Sequence, residues 1–406
     1  MPSYRIDPEN SSRVFLYARL FFALFLFLTG YVHFFLGGYW TIAGIVKNPT
    51  ITDLSGLPVG HDFVAFWAAS ELARHGDPVA VYSPATIHAM EQAVIGAKIQ
   101  GWVWNYPPTF LLMVLPLSLA PYLFSYAAWI VGTLCGYVGV IRRIAPHRLT
   151  PFLLVGFPGV YANFFYGQNG FLSTIFLGGG LLLIDTRPFW GGALLGLMSY
   201  KPQLGLLIPV ALVAGRRWQA LLGATVATVG LALASLLVFG VNLWTAFWHN
   251  LPYASGLMNT EIFWRKMPTI FSAARLTGLS YHQAILVQGL AALGVAGAVA
   301  WVWRRNQPLA LRASVLVTGA FLATPYAWEY DLALLGLAFA WLGWQEYQLG
   351  RTNGQALLMF GWMALYLIHI NSVSQFGPVI FLALLIFILY RGAPGLFGRR
   401  EPTCGN

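Results

Sequence analysis

Long apolar runs recur from one end of the chain to the other, and short polar patches separate them. A bilayer core of about 30 Å is crossed by roughly 20 helical residues, so such runs predict transmembrane helices. The predicted spans are 14–36, 109–140, 151–166, 170–185, 218–240, 282–303, 313–325, 328–345, 356–370 and 377–390. The pattern therefore predicts an all-α integral membrane protein with about ten full spans.

One apolar segment, 188–215, is interrupted at its middle by Lys201, Pro202 and Gln203. Proline breaks a helix, and a lysine at the bilayer centre is costly. We therefore predict that 188–215 re-enters the membrane as a pair of half-helices, with both ends on the cytoplasmic side.

The distribution of lysine and arginine supports this hairpin, because cytoplasmic loops carry the excess of positive charge. With the hairpin, 16 of the 23 lysines and arginines are cytoplasmic, and both termini are cytoplasmic as well. These are Arg5, Arg13, Arg19, Arg142, Arg143, Arg148, Arg187, Arg216, Arg217, Arg304, Arg305, Arg312, Arg351, Arg391, Arg399 and Arg400. If 188–215 were one full span, nine of these arginines would move outside and seven would remain.

This topology predicts one transmembrane domain, 1–395, followed by a cytoplasmic tail, 396–406. Two polar segments become outer loops: 38–108, which contains short surface helices, and 241–281. Irregular backbone at membrane depth must line a cavity or be buried in protein, so the hairpin tip should line a cavity that opens outward. The first apolar run is too long for a signal-peptide core and lacks a small-residue cleavage site, which predicts an uncleaved first span.

Composition agrees with a membrane protein, since 58% of residues are hydrophobic and only 9% are charged, against about 25% in soluble domains. The net charge of +10 does not indicate nucleic-acid binding, because the arginines are scattered and form no continuous basic stripe. Cys135 and Cys404 predict no disulfide framework, and the histidines lack ligand spacing, so no metal site is predicted.

Asp62 is the first candidate for chemistry. It follows Gly60 and His61 in the first outer loop and precedes a predicted short helix from Val64 to Arg74. One interpretation is a helix N-cap, for which aspartate is favoured. The other is a general base at the membrane interface. The two roles are compatible, because a capping position also fixes the direction of the carboxylate.

Three cations are candidates for binding an anionic donor. Lys201 can be interpreted as a lysine that snorkels toward water, but a cation inside the membrane is by default a functional candidate, and a lipid phosphate is its natural partner. Gln203 beside it can donate hydrogen bonds to phosphate or sugar. Arg265 and Lys266 lie in the second outer loop, against the charge bias, which favours anion binding over a solvated loop or lipid head-group contact.

Further polar residues lie at span boundaries on the same predicted face. Gln168 and Asn169 form either a plain turn or part of a site, and Glu329 or Asp331 either caps the next helix or holds a sugar hydroxyl. Six segments thus place polar groups at one membrane face, which a single polar cavity explains. The candidate substrate-binding residues are His61, Tyr106, Gln168, Asn169, Gln203, Glu329 and Asp331.

Five short motifs together resemble glycosyltransferase family 87. They are, in chain order, Gly60-His61-Asp62-Phe63, Tyr106-Pro107-Pro108, Gly167-Gln168, Lys201-Pro202-Gln203 and Tyr330-Asp331. The similarity spans nearly the whole chain, from about residue 14 to 390. The actinobacterial members carry a histidine in the late outer loop, where this chain has none between Tyr326 and Asp331. The resemblance therefore does not extend to phosphatidylinositol-mannoside specificity.

The resemblance implies a GT-C-type polytopic helical bundle and a hexosyltransferase, with mannose the first choice of sugar. It implies a polyprenyl-phosphate-sugar donor, a lipid or glycan acceptor, an inverting mechanism without a cofactor, and a site at the outer face of the inner membrane. The essential acid of the family corresponds to Asp62. A flippase or transporter of lipid-linked sugars and an oligosaccharide ligase are the alternative functions.

Overall fold

The computed structural model describes residues 8–369 and 374–393, and within them the chain is helical. The helices are α1 (Pro8–Leu26), α2 (Val32–Lys47), α3 (Phe63–Arg74), α4 (Pro84–Ile95), α5 (Pro108–Val114), α6 (Tyr122–Ile144), α7 (Thr150–Val155), α8 (Pro158–Tyr166), α9 (Gly170–Leu183), α10 (Pro188–Gly196), α11 (Pro202–Gly205), α12 (Ile208–Ala214), α13 (Trp218–Phe239), α14 (Val241–Leu257), α15 (Glu261–Trp264), α16 (Ile270–Leu276), α17 (Tyr281–Arg304), α18 (Leu309–Ala323), α19 (Leu332–Gln348), α20 (Thr352–Leu365) and α21 (Gly377–Gly392). The predicted tail, 396–406, lies outside the described residues, as do Arg5, Arg399 and Arg400.

Short turns of π-helix or 3-10 helix join several of these elements. They are the π-helical turn Phe27–Tyr31 and the 3-10 turns Pro78–Tyr82, Leu115–Leu119, Leu197–Tyr200, Glu329–Asp331, Tyr366–His369 and Ser374–Phe376. Among the described residues, β-type pairing is limited to one isolated bridge, between Thr52 and Pro58.

Four continuous helices are long and apolar enough to cross a membrane: Phe15–Lys47, Tyr122–Ile144, Trp218–Phe239 and Tyr281–Arg304. Five shorter apolar helices accompany them: Pro108–Leu119, Gly170–Leu183, Pro202–Ala214, Leu309–Ala323 and Gly377–Gly392. Large apolar side chains on the long helices, such as Leu237 and Leu290, are exposed. A helical bundle with an apolar outer surface is a membrane protein, whereas the total of about ten spans stays a prediction.

Three predicted boundaries were wrong. The first helix continues through the π turn as far as Lys47, because residues 37–46 are themselves apolar, so the outer loop begins later than residue 38. The predicted span 109–140 is divided before Pro121, and the predicted span 151–166 is divided before Pro158. Proline lacks a backbone N–H and disfavours helical geometry in the preceding residue, which accounts for both breaks.

The segment 188–215 folds as a hairpin whose two ends meet. Asp185 precedes α10 and Arg217 follows α12, and 2.8 Å separates Asp185 Oδ1 from Arg217 Nη2. Asp185 Oδ2 also binds Arg312 Nη2 at 2.5 Å. The tip of the hairpin, at Lys201, lies away from this cluster and contacts Asp331 instead. Whether this hairpin enters a membrane from the cytoplasmic side stays a prediction.

The first arm of the hairpin packs directly on α13 through backbone. A Cβ on Gly192 would overlap the carbonyl of Ala220, and one on Gly196 would overlap the carbonyl of Ala224. These successive contacts show that α10 and α13 run in the same direction. Small residues permit such close approach between membrane helices, so this contact fixes the height of the hairpin tip against α13.

The centre of the bundle is formed by α18 and α19. Every side chain from Leu311 to Ala323 is buried, which is typical of a helix surrounded by other helices on all sides. At one end of the bundle the buried Glu346 binds Arg391 Nη2 at 2.5 Å and lies 3.8 Å from Arg351. The opposite end, where α19 begins at Leu332, carries the polar residues described next.

Candidate functional site

Two glycine turns pack against each other and bring Asp62 to Gln168. Gly60 has φ +82° and Gly167 has φ +63°, a region that favours glycine. A Cβ on Gly167 would lie 2.5 Å from Phe63 Cβ and 2.8 Å from the carbonyl oxygen of Gly60. The turn before α3 and the turn before α9 can therefore approach closely only because Gly167 has no side chain.

Asp62 is half-buried and is held by two side-chain donors. Trp102 Nε1 donates to Oδ1 at 2.8 Å, and Gln168 Nε2 donates to Oδ2 at 2.9 Å. The carboxylate forms no hydrogen bond with the backbone of α3, and Asp62 has helical dihedral angles of its own. The N-cap interpretation is therefore wrong, because the oxygens point across to other segments and not into the helix.

The surroundings of Asp62 make it a stronger base than an ordinary aspartate. Burial is the largest cause and raises its pKa. The hydrogen bonds from Gln168 and Trp102 and the nearby His61 lower the pKa, and the charge of Glu329 raises it. The net effect is a raised pKa. A carboxylate with a raised pKa is better matched to proton removal, provided that the working pH keeps it ionised.

A hydrogen-bonded network continues from Gln168 away from Asp62. Tyr106 Oη donates to Gln168 Oε1 at 3.3 Å, and Asn169 Nδ2 donates to Tyr106 Oη at 2.9 Å. Tyr106 lies just before α5, and Gln168 and Asn169 lie just before α9. Three of the predicted site residues are thus in direct contact with one another.

Lys201 ends this network in a buried position, with only 2% of its side chain exposed. Its Nζ donates to Asn169 Oδ1 at 2.8 Å and to Asp331 Oδ1 at 2.5 Å, and it lies 5.2 Å from the centre of the Tyr330 ring. The snorkelling interpretation is therefore wrong, because the ammonium group is paired inside the protein. Asp331 also accepts from the backbone N–H of Trp328, at 3.0 Å.

Aromatic rings line the side of the site next to Glu329. Tyr166 stacks on the His61 ring, with 5.2 Å between the ring centres, and meets Tyr330 edge-on at 6.5 Å. The hydroxyl of Tyr166 also hydrogen-bonds Glu329. His61 and Glu329 are half-buried, so both predicted residues lie at the opening of the site and not in its floor.

Three predicted site residues lie apart from this network. Arg265 and Lys266 are exposed, and Arg265 Nε donates to Glu261 at 2.9 Å. Their loop reaches the edge of the site through Phe263, whose ring lies 5.3 Å from Trp328. Gln203 is half-buried, and no hydrogen bond joins it to the network within residues 8–369 and 374–393.

Sequence reasoning missed Trp102 and Glu91. The indole of Trp102 binds Asp62, and the backbone N–H of Trp102 donates to the buried Glu91 at 3.0 Å. A signal existed for Glu91, since a glutamate among apolar positions of a loop helix is unusual. In the part of the chain that the structure describes, no group of three His, Cys, Asp or Glu side chains is arranged to hold a metal ion.

The fold and this site define a helical membrane protein with a polar, carboxylate-containing site at one end of its bundle. The chain matches glycosyltransferase family 87 over residues 104–325, which is more than half of its length. The chain therefore belongs to glycosyltransferase family 87 and is a membrane glycosyltransferase. No curated protein and no solved structure matches it.

Proposed function

We propose that this glycosyltransferase transfers a hexose, with mannose as the first candidate, from a polyprenyl-phosphate-sugar to a lipid or glycan acceptor. We place the reaction at the outer face of the inner membrane. The observation that carries the proposal is the half-buried Asp62 carboxylate, which two side-chain donors hold away from its own helix. A carboxylate fixed by side chains from other segments suits a general base better than a structural cap.

In the proposed reaction an acceptor hydroxyl attacks the anomeric carbon, and Asp62 takes the hydroxyl proton as the new C–O bond forms. The bond to the polyprenyl phosphate breaks at the same time, and its electron pair leaves with the phosphate oxygen. A single displacement from the opposite face inverts the anomeric centre. The leaving phosphate is already an anion, so fixed positive charges can stabilise it, and the proposed reaction needs no cofactor.

Lys201, Arg265 and Lys266 are the cations that we assign to the donor phosphate. Lys201 already has two acceptors inside the protein, because it donates to Asp331 and Asn169. An ammonium group has three N–H donors, so one remains for a phosphate oxygen that reaches this buried position. Arg265 and Lys266 are exposed and lie in the loop that touches Trp328, where an anionic head group can reach Lys266 and compete with Glu261 for Arg265.

The sugar and acceptor are assigned to the aromatic side of the site. Glu329 lies beside Tyr166 and acts electrostatically on Asp62, which supports its assignment as an acceptor for a sugar hydroxyl. His61 offers the face of its ring next to the same tyrosine. Tyr106, Gln168 and Asn169 would orient the substrates through the hydrogen-bonded network. Gln203 lies outside this network, so it would contact a substrate only if its side chain changes conformation.

The test is a transfer assay with the purified protein in proteoliposomes that contain polyprenyl-phosphate-mannose labelled in the sugar. Formation of a labelled lipid or glycan other than the donor supports the proposal. Movement of the donor across the bilayer without a new product indicates a transporter, and transfer of a preassembled oligosaccharide indicates a ligase. The Asp77→Asn variant is a matched control for Asp62→Asn, because Asp77 does cap its helix through the Ala80 N–H.

A further inference from the structure

Trp102 reaches Asp62 from a stretch of chain that has no regular structure. Residues 97–107, between α4 and α5, form neither helix nor strand. A side chain on such a stretch has no helix to fix its direction, yet the Trp102 indole nitrogen lies 2.8 Å from Asp62 Oδ1. Something else must therefore hold the backbone of Trp102 in place.

Glu91 fixes the position of the Trp102 backbone. Its side chain is completely buried at the end of α4, and Oε2 accepts the backbone N–H of Trp102 at 3.0 Å. The same oxygen lies 3.4 Å from His88 Nδ1. Gly101 passes directly over the His88 ring, where a Cβ would lie 2.6 Å from Nδ1. Glu91 and His88 thus clamp the chain immediately before the indole that binds Asp62.

The other oxygen of Glu91 has no hydrogen-bond partner among the described residues, although it is buried. An ionised carboxylate with an unpaired buried oxygen is costly, so this environment favours the neutral acid. Burial raises the pKa of Glu91 to about 8. The hydrogen bond from the Trp102 N–H opposes this rise, and the charge of Asp62 adds to it.

We propose that Glu91 is a positioning residue, which acts through Trp102 to hold the Asp62 carboxylate at the angle needed for proton removal. This inference rests on the proposed role of Asp62 as the base. Trp102 bonds to both residues, through its backbone N–H to Glu91 and through its indole to Asp62, whereas no hydrogen bond joins Glu91 to Asp62 among the described residues. The contribution of Glu91 is the hydrogen bond to the Trp102 backbone, and that bond requires an acceptor and not a charge.

The variants Glu91→Gln and Glu91→Leu distinguish the effect of the hydrogen-bond acceptor for the Trp102 N–H from the effect of filling the space of the side chain. Gln keeps an oxygen for the Trp102 N–H and resembles the neutral acid, so turnover should stay close to that of the wild type. Leu fills the space but accepts nothing, so kcat should fall by roughly 10- to 100-fold, as misplaced catalytic groups cause. KM for polyprenyl-phosphate-mannose should not change, since the donor phosphate is bound elsewhere.

A double-mutant cycle with Trp102→Phe tests the route of the effect. If Glu91 acts through Trp102, adding Glu91→Leu to Trp102→Phe lowers kcat no further than Trp102→Phe alone. Additive losses would show that Glu91 acts in another way and would overturn the inference. A loss of kcat in Glu91→Gln equal to that in Glu91→Leu would also overturn it.

A measurement that does not need transfer distinguishes this inference from the proposed function. In the protein labelled with ¹⁵N-tryptophan, the indole N–H signal of Trp102 is assigned by its loss in Trp102→Phe. The signal should shift in Asp62→Asn and in Glu91→Leu but not in Glu91→Gln. An unshifted signal in Glu91→Leu overturns the positioning role, whereas full turnover of Asp62→Asn with shifted signals overturns the base assignment itself.

Discussion

Lys201 and Asp331, 130 positions apart in the chain, form an ion pair with 2.5 Å between Nζ and Oδ1. Both side chains are almost completely buried. The pair joins the tip of the 188–215 hairpin to the start of α19 and thereby closes the floor of the site. Removing one member of a buried ion pair leaves the other charge uncompensated, which costs more than removing both.

We therefore expect Lys201→Ala and Asp331→Asn each to lower the free energy of unfolding by about 3–5 kcal/mol. The double variant Lys201→Met with Asp331→Leu should lose much less, because no unpaired charge remains. Thermal unfolding in detergent, followed for all three proteins, measures this. A loss in the double variant as large as the sum of the two single losses would show that Lys201 and Asp331 are not coupled.

The same double variant tests whether Lys201 also binds the donor phosphate. A hydrogen bond to a charged group contributes about 1.5–3 kcal/mol, so its loss should raise KM for polyprenyl-phosphate-mannose by roughly 10- to 100-fold. The measurement is the dependence of initial rate on donor concentration. An unchanged KM in the folded double variant would leave Lys201 with its structural role alone.

The base assignment predicts that Asp62→Asn folds normally but transfers sugar slowly. General-base catalysis contributes roughly 10²–10⁴-fold, so turnover should fall by about that factor while thermal stability stays close to that of the wild type. Asp77→Asn, in the same loop, should keep full turnover, because asparagine caps a helix about as well as aspartate. Near wild-type turnover of Asp62→Asn would remove this residue from the mechanism.

The packing of the two glycine turns predicts a large effect for Gly167→Ala. The alanine would have to adopt positive φ and would place its Cβ against Phe63 and Gly60, so the turns must separate and Asp62 must move from Gln168. Gly56→Ala is the control, since Gly56 also has positive φ but faces open space. Gly56→Ala should cost only about 1–2 kcal/mol of backbone strain. If the two variants were equally stable and active, the close contact would be irrelevant.

The raised pKa of Glu91 predicts a stability that falls as pH rises. In the unfolded chain Glu91 loses its proton near its ordinary pKa of 4.5, but in the folded protein it keeps the proton until about pH 8. Between these values the folded state binds more protons, so its stability decreases by at most roughly 1.4 kcal/mol per pH unit. Unfolding temperatures measured from pH 5 to pH 8 should fall less in Glu91→Gln than in the wild type, and identical slopes would contradict this.

The topology predicts opposite accessibility for two positions. In a chain whose Cys135 and Cys404 are replaced by serine, a cysteine at Arg217 should be labelled from the cytoplasmic side by a membrane-impermeant maleimide. A cysteine at Thr260 should be labelled from the outer side. Arg217 lies next to Asp185 at one end of the bundle, whereas Thr260 precedes α15 in the predicted second outer loop. Labelling of both positions from the same side would disprove the arrangement.

The sequence predicts much of the fold, because each apolar run must form a helix in a membrane and the distribution of lysine and arginine predicts the orientation of each helix. It also predicts a functional polar cluster from Asp62, Gln168 and Lys201, since polar groups at span boundaries need partners. It could not predict which partners meet. The Lys201–Asp331 pair and the Trp102–Asp62 bond depend on how distant segments pack, and neither side chain carries a local signal for the other.

The contact between α10 and α13 also determines how the site responds to the lipid around it. Gly192 and Gly196 seat the first arm of the hairpin directly on the backbone of α13. The hairpin tip and α13 must therefore tilt together when the thickness of the bilayer changes. Lys201 keeps its height relative to α13, so the floor of the site follows this helix and does not follow the surface of the membrane.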